Sequence, residues 1–256
     1  MEKELFIRQL RPYLYLLDEA HEATGYLLIG EDKACVIDTM MGYHNLSEVV
    51  RGITGKPVMV INTHGHPDHI LGNMYFQEAY IHPADVALAE SFMQYPDFAQ
   101  AVQEHGGGMP PYREIRGGDL VDLGGRTLKV YEIPGHTPGG ILLLDAEDRI
   151  LFTGDSVNHH LWMQLDGCAP LEEFLSTLDG LMFLEKEADV ILHGHARDYD
   201  DITLLGCVRD GIREICEGKT QDDKPYEYFG GTAKQHAFSV RPDRHYQQDD
   251  HVICYR

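Results

Sequence analysis

The stretch VINTHGHPDHILGN, residues 60–73, sets three histidines and an aspartate within six positions, directly after an apolar run. PVMVINT (57–63) has the length and apolar content of a buried strand, so His64, His66, Asp68 and His69 fall at its end and in the turn that follows. Three imidazoles and a carboxylate gathered in a buried turn are costly to desolvate without a cation to pair with them. The stretch therefore predicts a metal site, and the rest of the chain decides whether that site is completed.

Three later segments repeat the form of a strand running into a potential ligand. LKVYEI is followed by PGHTPGG with His136, RILFTGDS leads into Asp155, and DVILHGHA presents His193 and His195. Strand ends and the loops after them share one rim of a sheet, where side chains distant in sequence meet. Imidazole nitrogen and carboxylate oxygen suit zinc, with manganese and iron as workable substitutes. One ion needs three or four such groups. Seven point to two ions, ~3.5–4 Å apart and sharing a carboxylate, with Asp68 and Asp155 supplying negative charge against them.

Around these segments the chain alternates short apolar runs with turn signals. YLLIG (26–30) and ACVIDT (34–39) flank Glu31-Asp32-Lys33 as a hairpin, a second hairpin turns at Gly124-Gly125, and GILLLDAEDRILFTGDS pairs two runs across Asp145 to Asp148. Helices are expected at 44–52, 84–93, over PLEEFLSTLDGLMFL and at 201–217. Strands interleaved with helices predict a mixed α/β sandwich, sheets inside and helices covering them. The Gly- and Pro-rich EHGGGMPPYREIRGG, 104–118, reads as a surface loop that either connects elements or closes over a ligand. The 256 residues are expected to form a single domain, with 219–256 as a C-terminal extension.

Acidic residues outnumber basic ones 42 to 21, for a net charge of -21, and no Lys/Arg cluster interrupts the field. Such a surface repels phosphate backbones and argues against a nucleic-acid partner. No apolar run reaches the length of a bilayer span, and MEKELFIRQLRPYLYLLDEA lacks the form of a secretory leader, so no membrane partner is expected. Five widely spaced cysteines without a Cys-x-x-Cys pair predict free thiols and a reducing cytoplasm. LFIRQLRPYLYLL reads as a first strand of the sandwich or as a homodimer surface.

The set His64-x-His66-x-Asp68-His69, followed in order by His136, Asp155 and His195, resembles the metallo-β-lactamase-fold superfamily of metallohydrolases. The resemblance covers roughly residues 20 to 200. It implies an αββα sandwich of two mixed β-sheets flanked by helices, with the site at one edge. It further implies that His64, His66 and His136 hold one divalent ion, that Asp68, His69 and His195 hold a second, and that Asp155 bridges them. Gly194-His195 matches the superfamily pattern, which favours His195 over His193. NTHGHPDHILGN and PGHTPGG look most like the glyoxalase II-type and related thioesterase or lactonase branches, although the chain beyond His195 does not match the glutathione-binding region of glyoxalase II. The implied chemistry is attack of a metal-bridged hydroxide on an ester, thioester or lactone of a small molecule, with Asp68 orienting the nucleophile and shuttling its proton. A one-iron persulfide dioxygenase and a phosphodiesterase on the same scaffold are the alternatives. For the substrate pocket, SVNHHLWMQLDG offers His159, His160 and Trp162 directly after Asp155, and Tyr199 stands four residues past His195.

Overall fold

Short apolar runs separated by tight turns fold the opening of the chain into consecutive antiparallel strands: β1 (Leu5–Arg11), β2 (Leu14–Glu19), β3 (Ala23–Ile29) and β4 (Ala34–Ile37). The computed structural model of the protein describes residues 3–240 and 250–256, so the 241–249 portion of the expected extension lies outside the described residues. After α1 (Leu46–Ile53), β5 (Val58–Ile61) joins parallel to β4, with Ile37 opposite Ile61. The chain then passes through α2 (Pro67–Ile70) to β6 (Ala79–Ile81), and through α3 (Val86–Ser91) and α4 (Pro96–His105) to β7 (Tyr112–Glu114). The seven strands lie side by side in sequence order. The segment 104–118, expected as a loop, thus ends α4 and supplies the edge strand β7. Its glycines and prolines flank the strand and hide it, while Arg113 and Glu114 give it the charged character of an edge.

The second sheet starts with β8 (Leu120–Asp122), β9 (Thr127–Glu132), β10 (Ile141–Asp145) and β11 (Ile150–Gly154). The chain leaves it for β12 (His160–Trp162), runs through α5 (Leu171–Leu181) and α6 (Leu184–Glu187), and returns with β13 (Val190–His193), parallel to β11, and β14 (Asp200–Asp201). The order is β14-β13-β11-β10-β9-β8. After α7 (Leu204–Cys216) come β15 (Lys224–Tyr228), β16 (Gly231–Ala237) and β17 (Val252–Tyr255), which join β12 in a third sheet of order β12-β17-β16-β15. This third sheet was not expected. β12 finds its parallel partner in β17, with Leu161 opposite Ile253, and no local pattern announces so distant a pairing.

Alternation along each strand sorts its side chains to two faces. Leu14, Tyr26, Ile37 and Ile61 of the first sheet meet Leu128, Ile141, Leu143 and Phe152 of the second in one buried cluster. The outer face of the first sheet, with Leu27, Val36 and Val60, packs on Leu46 and Val50 of α1. On the other side, Leu142, Leu144 and Leu151 pack on Phe174 and Leu178 of α5 and on Val208 and Ile212 of α7. The layers are helix, sheet, sheet, helix: the αββα sandwich, with mixed sheets at its centre. Each fully buried aliphatic side chain contributes about 1.5–3 kcal/mol, so the rim where ligands gather rests on a rigid platform. Among the described residues no helix is long and apolar enough to cross a membrane, and all five cysteines are free.

Candidate metal centre

The candidate ligands leave the sandwich along one edge. β5 runs into His64 and His66, and Pro67 at the first position of α2 starts the turn that presents Asp68 and His69. The β9–β10 connection carries His136, β11 ends just before Asp155, and β13 ends just before Gly194 and His195. Two glycines make the crowding possible. Gly154 has φ +51°, and a Cβ there would strike the Thr63 side chain. A Cβ on Gly194 would run into the Asp155 carboxylate and the His69 ring.

The seven side chains gather in two groups, His64, His66 and His136 in one, and Asp68, His69, Asp155 and His195 in the other. His136 Nε2 lies 3.0 Å from His66 Nδ1. His69 Nε2 lies 3.5 Å from Asp68 Oδ2 and 3.4 Å from Asp155 Oδ1, and His195 Nε2 lies 3.1 Å from Asp155 Oδ2. Asp155 also stands 3.9 Å from His136 Nε2, which sets it between the groups.

Hydrogen bonding on the far side of the rings assigns their tautomers. His69 Nδ1 donates to Asp38 Oδ2 at 2.9 Å, and His136 Nδ1 donates to the Trp162 carbonyl at 2.6 Å. Thr63 gives its hydroxyl proton to Asp38 at 2.7 Å, so its oxygen accepts from His64 Nδ1 at 3.0 Å. In their neutral form, the one that ligates a metal, all three rings therefore turn the Nε2 lone pair inward. Nε2 of His64, Nε2 of His69 and Oδ1 of Asp155 are buried without a hydrogen-bond partner. Converging acceptors that lack a donor, held from behind by fixed N–H bonds, fit a divalent cation in each group.

The charges follow the same plan. Burial and the neighbouring His136 imidazole push His66 down to about 3, and burial with His69 and His66 beside it drives His64 well below the ordinary imidazole range. Burial also opposes the charge on Asp68, yet His69 and His195 hold its carboxyl down to about 2. Asp155 is likewise held well below the carboxylate range by His195 and His69 against its burial. Burial would lower His69, but Asp68, Asp155 and Asp38 raise it well above 6.5, and Asp155 raises His195.

Two supporting acids escaped the sequence reading. Asp38 ends ACVID with a left-handed backbone, φ 58°, and its carboxylate holds the Thr63 N–H at 2.7 Å as well as Thr63 Oγ1 and His69. Asp85, fully buried, accepts from the backbone N–H of Gly65 at 2.9 Å and of Gly139 at 2.5 Å, and so ties the two histidine-bearing loops together. The signal for Asp38 was a lone acid at a strand end, and for Asp85 the HPAD turn.

Of the residues expected to line a pocket, His160 and His159 border a cavity of ≈ 450 Å³ that reaches His195 and is edged by Asp18, Arg197 and Asp250. Trp162 offers its carbonyl to His136, and its ring stands among Tyr226, Tyr228 and the exposed Phe229. Tyr199 is not brought to the cluster. Its hydroxyl accepts from Arg11 Nε at 3.3 Å, under the guanidinium, at the β1 side of the molecule. A smaller cavity of ≈ 230 Å³ touches His66 and His136 and is walled by Ala84, Ala87, Leu88 and Pro138.

The sequence profile of the metallo-beta-lactamase superfamily matches residues 21–202, well over half of the chain. The chain belongs to this superfamily. It is 30% identical over 164 residues to the acyl-coenzyme A thioesterase MBLAC2 of Gallus gallus, covering 55% of this chain and 59% of that protein. The MBLAC2 of Homo sapiens is 25% identical over 207 residues, covering 70% and 74%. A hydroxyacylglutathione hydrolase of Hyphomonas neptunium is 32% identical over 139 residues, covering 52% and 47%. The chain thus spans less than two thirds of the chicken and Hyphomonas proteins. A metallo-beta-lactamase family protein of Thermus thermophilus shares the fold at a TM-score of 0.64 and 22% identity, over 85% of both chains. A metallo-beta-lactamase of Pontibacter korlensis does so at 0.63 and 19%, over 82% of this chain and 99% of that one.

Proposed function

We propose that the chain is a metal-dependent hydrolase that cleaves the thioester of a small molecule at a pair of divalent ions, zinc in the first instance, with manganese or iron as substitutes. The observation that carries this reading is the convergence of seven ligand-type side chains around buried lone pairs of His64, His69 and Asp155 that no hydrogen-bond donor meets. Relatives named as acyl-coenzyme A thioesterase and hydroxyacylglutathione hydrolase support thioesters over other acyl bonds. A one-ion oxygenase would leave one of the two ligand groups without a role. Small-molecule chemistry in a reducing cytoplasm, with neither nucleic acid nor membrane as partner, belongs to the same proposal.

His64, His66 and His136 would hold one ion; Asp68, His69 and His195 the other; Asp155 would serve both. Bound there, the ions supply a water ionised near neutral pH and a positive contact for the carbonyl oxygen. The chain does the rest. Asp38, Thr63 and the Trp162 carbonyl keep the rings in the tautomers that ligation needs. Asp68, its side chain 30% exposed, faces the solvent side, where its ionised carboxylate orients the attacking water and takes up its proton. The proton passes to the departing sulfur, whose conjugate thiol has a pKa near ~8.5 and so leaves readily. The apolar cavity beside His66 and His136 suits the acyl group, and the polar cavity beside His195 and Arg197 suits the thiol portion.

The test is hydrolysis of acyl-coenzyme A and acyl-glutathione thioesters by the purified, metal-loaded chain. Cleavage that stops on chelation and returns with added zinc is expected. A fully metal-loaded chain inert toward both thioester classes would contradict the reading.

A further inference from the structure

Four buried groups lie beside the ligand sets without belonging to them: His159, His193, His251 and Asp200, each 3% exposed or less. His159 precedes β12, His193 ends β13, Asp200 opens β14 and His251 precedes β17. His159 Nε2 is 3.0 Å from Asp200 Oδ1, and His193 Nε2 is 3.1 Å from Asp200 Oδ2. His159 Nδ1 faces His251 Nδ1 at 2.8 Å, and the backbone N–H of His195 donates to His193 Nδ1 at 3.1 Å.

His159, His193 and Asp200 are close enough to hold an ion of their own. The hydrogen bonds decide against it. A backbone amide only donates, so His193 Nδ1 keeps its lone pair and the ring proton sits on Nε2, where a ligand would need to be bare. That Nε2–H faces Asp200. Burial would raise the Asp200 carboxyl, yet the hydrogen bond from His159 and the His193 ring 3.1 Å from Oδ2 hold it well below the ordinary value, as a buried anion. The carbonyls of Gly194 and Ala196 are anchored by Thr24, but the amide of His195 itself rests on His193.

We propose that the His251–His159–Asp200–His193 cluster is a positioning device for His195: Asp200 fixes the His193 tautomer, and His193 then holds the His195 backbone so that its ring faces Asp155 and Asp68. The proposal rests on the two-ion reading above. It gives the C-terminal strand β17, beyond the segment matched to the superfamily, a part in the second ligand group through His251.

The test measures Zn²⁺ and Co²⁺ binding to the metal-free full chain by chelator competition, in the native protein and in Asp200→Asn, His193→Asn and His193→Leu. Asp200→Asn offers one acceptor and one donor where the carboxylate offers two acceptors, so His159 and His193 can no longer both donate to it, whereas His193→Leu removes the acceptor of the His195 amide outright. The native chain should take two ions. Asp200→Asn and His193→Leu should bind the first as before and the second at least ~10-fold more weakly, with a changed cobalt absorption. His193→Asn, whose Oδ1 replaces the Nδ1 acceptor, should restore the second ion's affinity. Native affinity for both ions in His193→Leu would overturn the proposal. So would a third equivalent in the native chain that Asp200→Asn abolishes, since the cluster would then be a metal site. Loss of both ions together would assign it a general role in folding and overturn the proposal as well. A native chain that takes up no ion would remove the two-ion reading and this inference with it.

Discussion

Asp38 tolerates a left-handed backbone at φ 58° because its two oxygens hold Thr63 and His69 at once. In Asp38→Asn one of those acceptors becomes a donor, and His69 loses its tautomer. The expected result is a loss of metal affinity of roughly 10- to 100-fold, read by chelator competition. Asp68 touches no such scaffold, so Asp68→Ala should cut thioester hydrolysis by ~10²–10⁴-fold while the circular dichroism spectrum stays native. The raised His69 and His195 give a pH signature. In the metal-free chain the neighbouring carboxylates favour a proton on both rings, and the second ion must displace it to bind. Affinity of the second ion should therefore climb as pH rises through neutrality. His66, pushed down to about 3, holds no proton there, so the first ion's affinity should change far less across neutral pH, as measured by titration in buffers on either side of it. The ligands were legible in the sequence because three imidazoles and a carboxylate within six positions at a strand end are too costly to bury without a cation. Asp38 and Asp85 were not, because a single acid after a strand is equally a turn residue.

At the level of elements, hairpins were legible wherever Gly, Asp or Lys separated two apolar runs, as at 31–33 and 124–125, since pairing there is local. β7 was hidden by its three residues and flanking prolines, and the β12–β17 pair by the distance between them. The loops that carry the ligands are held by buried acids. Asp85 accepts from Gly65 and Gly139, and hydrogen bonds to a charged group are each worth about 1.5–3 kcal/mol. Asp85→Ala should destabilise the metal-free protein by a few kcal/mol in chemical denaturation; a change under about 0.5 kcal/mol would show that the two loops stand without it. Gly194→Ala should cost the second ion more than it costs the fold, because the added methyl strikes two ligands rather than the core.

For the whole molecule, the two facing sheets do one thing for function: they bring the ends of β5, β11 and β13 to a common edge, so that residues from His64 to His195 share one space. Composition told of the acidity and of the absence of a basic patch, but not of the third sheet, whose aromatic face beside Trp162 depends on long-range pairing. Two ions sharing Asp155 are the centre of the proposed chemistry. Anomalous diffraction at the metal absorption edge, on crystals of the chain grown with zinc, tests them most directly. Two peaks are predicted, one against His64, His66 and His136 and one against Asp68, His69 and His195, both within reach of Asp155. A single peak, or none among these side chains, would contradict it.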